Sequence, residues 1–323
     1  MAVNEKKLIK YFGKNFKLKK NRFRSYDFIE NFIETNFTKY SVNKDTKKIT
    51  KDFLEELGKF SKNEFAFLIL HCGYIPDYYS HDSSKETLHT KLTETIIFNW
   101  SKLIGFKQSI LPTQKSSYED ITISDGTNII VCDAKSFRLG RSQGAPNVKD
   151  TIKLADYEKW LSKYENKGIG GLITFPSLHD WKKDSDTYQY VSDPLKKVLL
   201  IFYEHLSYLL LSDYDASNLV KILNNYSTIF SKKSKNRELY WKNIIKNLFK
   251  EDEKNYYDYL ELAENIIQEF VIYKKEQLDK RVKNLKIEIK KLFDKFKDVD
   301  KLINEISDTN SQVSVKLFDN VKL

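Results

Sequence analysis

Large apolar residues recur three and four positions apart through the first third of the chain, which is the spacing of one face of an α-helix. Between residues 26 and 72 the residues with this spacing are Phe28, Ile29, Phe32, Ile33, Phe53, Leu54, Leu57 and Phe60. This pattern predicts two or three helices in that region. The same spacing returns at Leu88, Leu92 and Ile96 and predicts a further helix that ends near Leu103.

The pattern changes to an alternation of apolar and polar residues after residue 118, which is typical of a strand with one buried face. Ile121 and Ile123 alternate with polar residues, the turn-forming pair Asp125-Gly126 follows, and an apolar run begins at Ile129. Two extended segments joined by Asp-Gly predict a β-hairpin.

Two further apolar runs, from Gly171 to Phe175 and from Val198 to Tyr203, predict strands, and helical spacing around Tyr157 predicts a helix before them. Strands interleaved with helices predict an α/β fold with a mixed central sheet, extensive helical cover and a helical C-terminal region.

The last part of the chain is charged and helical, and its apolar residues alternate spacings of four and three over about four heptads. These residues are Leu278, Val282, Leu285, Ile289, Leu292, Phe296, Val299, Ile303 and Ile306. Such a seam requires a partner helix. The pattern fits packing against the chain's own helices and fits a dimer interface equally well.

The composition is that of a folded protein: 323 residues are 41% hydrophobic and 14% aromatic, with only 10 Gly and 5 Pro. This composition argues against disorder and against collagen-like or low-complexity architecture. The two cysteines, Cys72 and Cys132, lie in apolar stretches and suit a reducing cytoplasm. No apolar stretch approaches the roughly 20 residues that cross a bilayer, so we expect a cytoplasmic protein with no membrane contact.

The net charge of +10 is concentrated before residue 25, where nine Lys and Arg residues stand against Glu5 alone. Tyr11, Phe12, Phe16 and Phe23 are interleaved with these basic residues. A basic, aromatic segment suits a nucleic acid, because phosphate contacts release counterions and aromatic rings can stack on bases. A solvated lysine-rich terminus fits as well, and an interfacial amphipathic helix is a weaker third interpretation.

These patterns divide the chain into four predicted regions. We expect a basic N-terminal arm at residues 1–25, an N-terminal helical region at 26–80, the core that holds the hairpin at 81–215, and a C-terminal helical region at 216–323.

The predicted hairpin carries the candidate catalytic residues: Asp120 on its first strand, and Asp133 and Lys135 on its second. Asp133 and Lys135 are two apart and share a face. A two-residue turn centred on Asp125-Gly126 places Asp120 diagonal to Asp133, about 7 to 8 Å away on that face. A three-residue loop would instead put the two carboxylates on opposite faces.

Two carboxylates and an ammonium on one surface suit metal-dependent phosphodiester hydrolysis. Mg²⁺ prefers oxygen ligands and keeps several waters, so two aspartates and a substrate phosphate complete its coordination. The metal polarises the phosphodiester and lowers the pKa of a bound water. A neighbouring lysine can orient that water or stabilise the developing charge. The alternative is that Asp-x-Lys on a strand is a chance surface triplet.

The segment Val131–Arg141, VCDAKSFRLGR, closely resembles the active-site segment of the HindIII family of type II restriction endonucleases, a branch of the nucleases with the PD-(D/E)xK fold. Blocks around Pro76 to Lys91 and Val198 to Leu206 resemble an upstream helix and a later strand and helix of the same family. The likeness covers roughly residues 50 to 300.

This resemblance implies a central sheet of restriction-endonuclease type and specific roles for matched residues. Asp120 and Asp133 are implied as metal ligands, Lys135 as the lysine of the motif, and Glu86 as an additional acidic residue of the site. The family implies a homodimer that cuts both strands of palindromic double-stranded DNA with Mg²⁺, leaving 5′ extensions; its prototype reads AAGCTT.

Two features depart from the family pattern or have a simpler explanation. Glu119 stands where the superfamily's name has proline, and the basic arm has no counterpart in the prototype. Ser83-Ser84-Lys85-Glu86 is also a plausible capping box, which by itself would explain Glu86.

A donor-rich segment beyond the motif suits contacts with phosphates and base edges. Its residues are Arg138, Arg141, Gln143, Asn147 and Lys149. An ordinary polar loop would have the same composition.

Two other functions also stay open: a structure-specific DNA nuclease of the same fold, and a DNA-binding protein whose acidic patch is structural.

Overall fold

The computed structural model describes residues 3–40, 46–112, 119–139, 153–176, 196–229 and 237–295. The helices before the central sheet are α1 (Glu5–Phe12), α2 (Lys19–Tyr26), α3 (Phe28–Tyr40), α4 (Thr46–Leu57), α5 (Lys62–His71) and α6 (Ser84–Leu103). The strands are β1 (Tyr74–Ile75), β2 (Ile121–Ser124), β3 (Ile129–Ala134), β4 (Phe137–Arg138), β5 (Gly168–Phe175) and β6 (Val198–Phe202). The later helices are α7 (Leu154–Leu161), α8 (Tyr203–Leu211), α9 (Ala216–Asn224), α10 (Arg237–Phe249) and α11 (Glu253–Lys295).

The central sheet of the described residues has four strands in the order β2-β3-β5-β6. β2 runs antiparallel to β3, whereas β3, β5 and β6 run parallel. β1 and β4 form a separate parallel pair. The predicted α/β class with a mixed sheet and extensive helical cover is therefore confirmed.

The hairpin differs from its predicted register. Ile121 pairs with Cys132 and Ser124 pairs with Ile129, so the connection is a four-residue loop rather than a two-residue turn. The Asp125 carboxylate organises this loop by accepting hydrogen bonds from the backbone N–H groups of Thr127 and Asn128. Because side chains alternate with period two, a register shift of two residues leaves every side chain on its predicted face.

Helices cover the sheet as the interleaved sequence pattern predicts. α6 contacts β2 and β3, and α7 contacts β3 and β5. β6 is buried at every position, which explains its uninterrupted apolar sequence. α5 packs against α8. The helical region before residue 80 is therefore in direct contact with the region that contains the central sheet. The four-region division of the chain stays a prediction.

The basic N-terminal segment is folded against the rest of the chain, which corrects the expectation of an arm with available aromatic rings. Phe16 is buried and stacks on Phe67 of α5, with ring centroids 4.2 Å apart. Tyr11 packs edge-to-face on Tyr259 of α11 at 5.2 Å. The aromatic residues are therefore core residues and are not presented to a ligand.

Charges in the N-terminal segment are matched by acidic residues of α11. Lys7 and Lys10 both pair with Asp258, at 2.8 and 3.0 Å. Arg22 is buried and its Nε lies 2.6 Å from Glu269. Three of the nine basic residues thus stabilise the contact between this segment and the long C-terminal helix.

α11 spans 43 residues and leaves part of its apolar seam uncovered. Val282, Leu285 and Ile289 are half-buried in the single chain, and Ile287 and Phe293 beside the seam are 53% and 54% exposed. The seam residues Phe296, Val299, Ile303 and Ile306 lie outside the described residues.

Candidate active site

The hairpin brings Asp120, Asp133 and Lys135 together. Asp120 directly precedes β2, Asp133 lies near the end of β3, and Lys135 follows that strand. Extending the observed register by one pair sets Asp120 opposite Asp133, closer than the predicted diagonal position. Opposite residues of an antiparallel pair share a face, so the predicted convergence of the two carboxylates is confirmed.

Both carboxylates are held by hydrogen bonds. The backbone N–H of Ala134 donates to Asp120 Oδ2 at 2.9 Å. Asp133 is only 6% exposed, and its Oδ2 accepts from the Tyr157 hydroxyl at 2.9 Å while lying 2.6 Å from Lys135 Nζ. One oxygen of each carboxylate is therefore fixed by the protein.

The backbone of Lys135 is fixed on both sides. Its N–H donates to the carbonyl of Thr174 on β5, and its carbonyl accepts from the hydroxyl of Tyr203 at the start of α8, each at 2.8 Å. The ring of Tyr203 lies over Gly73, where a methyl group would come within 2.2 Å of it. The side chain of Lys135 remains 25% exposed and can reach a ligand at the surface.

Electrostatic repulsion is concentrated at this cluster. Burial raises the pKa of Asp120 well above its usual value, and the negative charges of Asp133 and Glu94 raise it further. Burial also raises the pKa of Glu94, against the lowering effect of Lys91. Like charges in a low-dielectric environment favour binding of a proton or a cation between them.

Glu94 is the site residue that the sequence interpretation missed. It lies in the middle of α6, its side chain is 12% exposed, and it pairs with Lys91 at 2.6 Å. No direct signal in the sequence marked it, because the burial of its neighbours Leu92, Thr93 and Thr95 becomes visible only in the fold. A buried acidic residue in a helix interior is a candidate functional group.

Glu86 occupies a different place from the one the family resemblance implied. It lies eight residues before Glu94 on α6, about 12 Å along the helix axis. Its Oε2 accepts from the backbone N–H of Asp82, and its own N–H donates to the Ser83 hydroxyl that caps the helix. The structure therefore assigns Glu86 to the start of α6 and does not bring it to the aspartates.

The guanidinium of Arg138 pairs with Glu86. Its Nη2 lies 2.8 Å from Glu86 Oε2, and its Nη1 donates to the carbonyl of Tyr79 at 2.6 Å. With 14% of the side chain exposed, Arg138 joins β4 to the segment before α6. Its role in DNA contact stays a prediction.

The remaining predicted DNA-contacting residues lie outside the described part of the chain. These residues are Arg141, Gln143, Asn147 and Lys149.

Glu119, at the position of the superfamily's proline, is buried and bonded. Its Oε1 accepts from the Thr122 hydroxyl at 2.7 Å and from the hydroxyl of Tyr164. It is 1% exposed, so it anchors the entry into β2 beside Asp120 and is turned away from solvent.

Among the described residues, no group of three or more His, Cys, Asp or Glu side chains is arranged to hold a metal ion. The pair Asp120 and Asp133 nevertheless fits a hard divalent cation. They stand opposite each other when the hairpin register is extended by one pair, and the negative charge of Asp133 raises the pKa of Asp120. A Mg²⁺ ion needs few protein carboxylates, because waters and phosphate oxygens complete its octahedron.

The chain belongs to the HindIII restriction endonuclease family, because the sequence model of that family matches residues 32–305. The match covers the hairpin, Glu94 and all of α11, and it identifies the chain as a restriction endonuclease, a site-specific DNA nuclease. It begins after the basic N-terminal segment. No curated protein matches the sequence significantly. In the described part of the chain, no helix has the length and hydropathy of a membrane span.

Proposed function

We propose that this protein is a homodimeric, Mg²⁺-dependent type II restriction endonuclease that hydrolyses both strands of double-stranded DNA at a short palindromic site. The observation that carries this proposal is the convergence of Asp120, Asp133 and Lys135 on one face of the hairpin. Family membership supplies the reaction class, and the hairpin supplies the groups that such a reaction needs.

Asp120 and Asp133 would hold the Mg²⁺ ion, which when bound polarises the phosphodiester and acidifies a water molecule. Lys135 supplies a positive charge at the same surface and orients the attacking water or stabilises the negative charge that develops on the phosphate. Glu94, rather than Glu86, is the additional acidic group, because its charge acts on the two aspartates.

A basic groove beside the site suits the DNA backbone. It has a volume of about 490 Å³ and lies between α4, α6 and the segment before β2. Three lysines and one acidic residue line it, together with Thr50, Leu54, Leu111 and Pro112: Lys47, Lys51, Lys91 and Glu55. Of these, Lys51 Nζ lies 4.0 Å from Glu55 Oε1. Lys91 also pairs with Glu94, so the groove adjoins the acidic cluster. Lysines along a groove bind successive phosphates without reading bases.

The homodimer follows from the symmetry of the proposed task, because a two-fold symmetric site is cut by one active centre on each strand. The half-buried seam of α11 at Val282, Leu285 and Ile289 supports a contact between two copies. The candidate recognition sequence AAGCTT with 5′ extensions rests on the family prototype alone.

Sequencing the fragment ends from one plasmid tests this proposal. We expect discrete, reproducible fragments that require Mg²⁺ and share one palindromic sequence with 5′ extensions. Cleavage only at branches or nicks would indicate a structure-specific nuclease instead. Absence of cleavage on any DNA with Mg²⁺ present would indicate a DNA-binding protein with a structural acidic patch.

A further inference from the structure

A buried tyrosine, Tyr157, contacts the active site from the sheet face that carries Asp133. It is 1% exposed and lies on α7, a helix that packs on β3 and β5. Its hydroxyl donates to Asp133 Oδ2 at 2.9 Å. Neither the resemblance to the family motif nor the hairpin pattern pointed to this residue.

The hydroxyl of Tyr157 and the ammonium of Lys135 both bind the same carboxylate oxygen. Two donors on Oδ2 restrict rotation of the Asp133 carboxylate and leave Oδ1 outside these contacts. Partners of a metal-binding carboxylate orient it, and their removal typically costs 10 to 100-fold in metal affinity or activity.

Gly171 makes room for this arrangement. It pairs with Val131 on β3, two residues before the Asp133–Ile173 pair, so it lies on the sheet face of Asp133. A methyl group at position 171 would lie 2.6 Å from Cδ1 of Tyr157. Only a residue without a side chain lets the ring cross β5 at this point. The hydrogen bond from Tyr157 to Asp133 on β3 therefore depends on a glycine on the neighbouring strand β5.

We propose that Tyr157 is a positioning residue of the active site, which with Lys135 holds the Asp133 carboxylate in the orientation that binds the divalent cation, and that Gly171 provides the space for it. This inference rests on the proposed function, because it assigns Asp133 to the metal.

The substitution Tyr157→Phe removes the hydroxyl and keeps the ring. We expect Mn²⁺ binding by the full-length protein without DNA, followed by electron paramagnetic resonance of free Mn²⁺, to weaken by about 10-fold or more. We also expect the Mg²⁺ concentration for half-maximal cleavage to rise by a similar factor while saturating Mg²⁺ restores much of the rate. Gly171→Ala should have the same effect, and the double variant should be no worse than either single variant.

Tyr226→Phe is the matched control, because it removes an equally buried hydroxyl that donates to the Val198 carbonyl at 2.7 Å on β6. It should leave Mn²⁺ binding unchanged. Wild-type Mn²⁺ binding and Mg²⁺ dependence in Tyr157→Phe would overturn the inference. Wild-type Mn²⁺ binding in Asp133→Asn, or none in the wild type, would instead contradict the proposed metal site itself.

Discussion

The Lys135 ammonium lies 2.6 Å from Oδ2 of Asp133, and the two residues are separated only by Ala134, the last residue of β3. This ion pair joins a proposed metal ligand to the group proposed to assist the water. It directs the Lys135 ammonium toward the site while part of the side chain stays exposed.

Replacing Lys135 with alanine should reduce cleavage by about 10² to 10⁴-fold, the usual contribution of a group that assists proton transfer. Binding of the uncut duplex in Ca²⁺ should persist, because the substitution leaves both aspartates in place. Single-turnover cleavage and gel-shift measurements test this pair of outcomes. Loss of binding with an unchanged cleavage rate at saturating DNA would assign Lys135 to affinity instead.

Glu94→Gln and Glu86→Gln should differ, because only Glu94 acts electrostatically on the aspartates. We expect Glu94→Gln to slow cleavage by roughly 10-fold or more. Glu86→Gln should keep the wild-type rate and lower the free energy of unfolding by about 1 to 3 kcal/mol, because it leaves the largely buried Arg138 without its carboxylate partner. The reverse result in cleavage assays would restore the role that the family resemblance implied for Glu86.

Alanine at both Lys47 and Lys51 should weaken duplex binding and reduce the salt dependence of the binding constant. Each lost phosphate contact lowers the slope of log K against log salt by about 0.9. The cleaved sequence should stay the same, because phosphate contacts carry no base information. The control is the double variant Lys14→Ala and Lys19→Ala, two exposed lysines of the N-terminal segment; an equal effect there would show that the groove has no special role.

Arg22→Ala should destabilise the fold by about 3 to 5 kcal/mol, because the largely buried Glu269 carboxylate loses its cationic partner and retains the hydrogen bond from the Tyr26 hydroxyl. Urea unfolding measures this change. Arg24→Ala, an exposed arginine on the same helix, serves as the control and should lie near the wild type. An equally small effect of Arg22→Ala would mean that the N-terminal segment contributes little to stability.

Buried histidines should make the protein less stable in mild acid. Burial lowers the pKa of His205 to about 3, so the folded state keeps it neutral while the unfolded state takes up a proton below about pH 6.5. The resulting loss of stability grows as the pH falls from 6.5 toward 3. His205→Asn should therefore lose about 2 kcal/mol less than the wild type between pH 7 and pH 5.

The asparagine in that variant can still accept the hydrogen bond that Phe202 N–H donates to His205 Nδ1 at 3.0 Å. Urea unfolding at the two pH values gives the comparison. His81, which is exposed, provides the control: His81→Asn should show the wild-type difference. Equal pH dependence in His205→Asn and the wild type would contradict the assignment.

Local periodicity was sufficient to predict the sheet strands and most helices, because apolar spacing reports which face of each element is buried. The face shared by Asp120 and Asp133 was predicted correctly although the turn length was wrong, since the error of two residues preserved the alternation. A one-residue error would have separated them.

What the sequence could not show depends on contacts between distant segments. In the sequence Phe16 lies among lysines, and only its packing on Phe67 in the structure shows that it belongs to the core. Glu86 and Glu94 lie on one helix, and the fold of the hairpin decides which one approaches Asp133. Tyr157 becomes part of the site through the space above Gly171, which no local pattern reveals.

The central claim is tested most directly by Asp133→Asn, assayed for cleavage and for binding of the same duplex. Asparagine keeps the size of the side chain and can still accept from Tyr157, so the fold should be retained. We predict that cleavage in Mg²⁺ is lost while binding of the duplex persists. Cleavage at the wild-type rate and at the same positions would contradict the assignment of the hairpin as the active site.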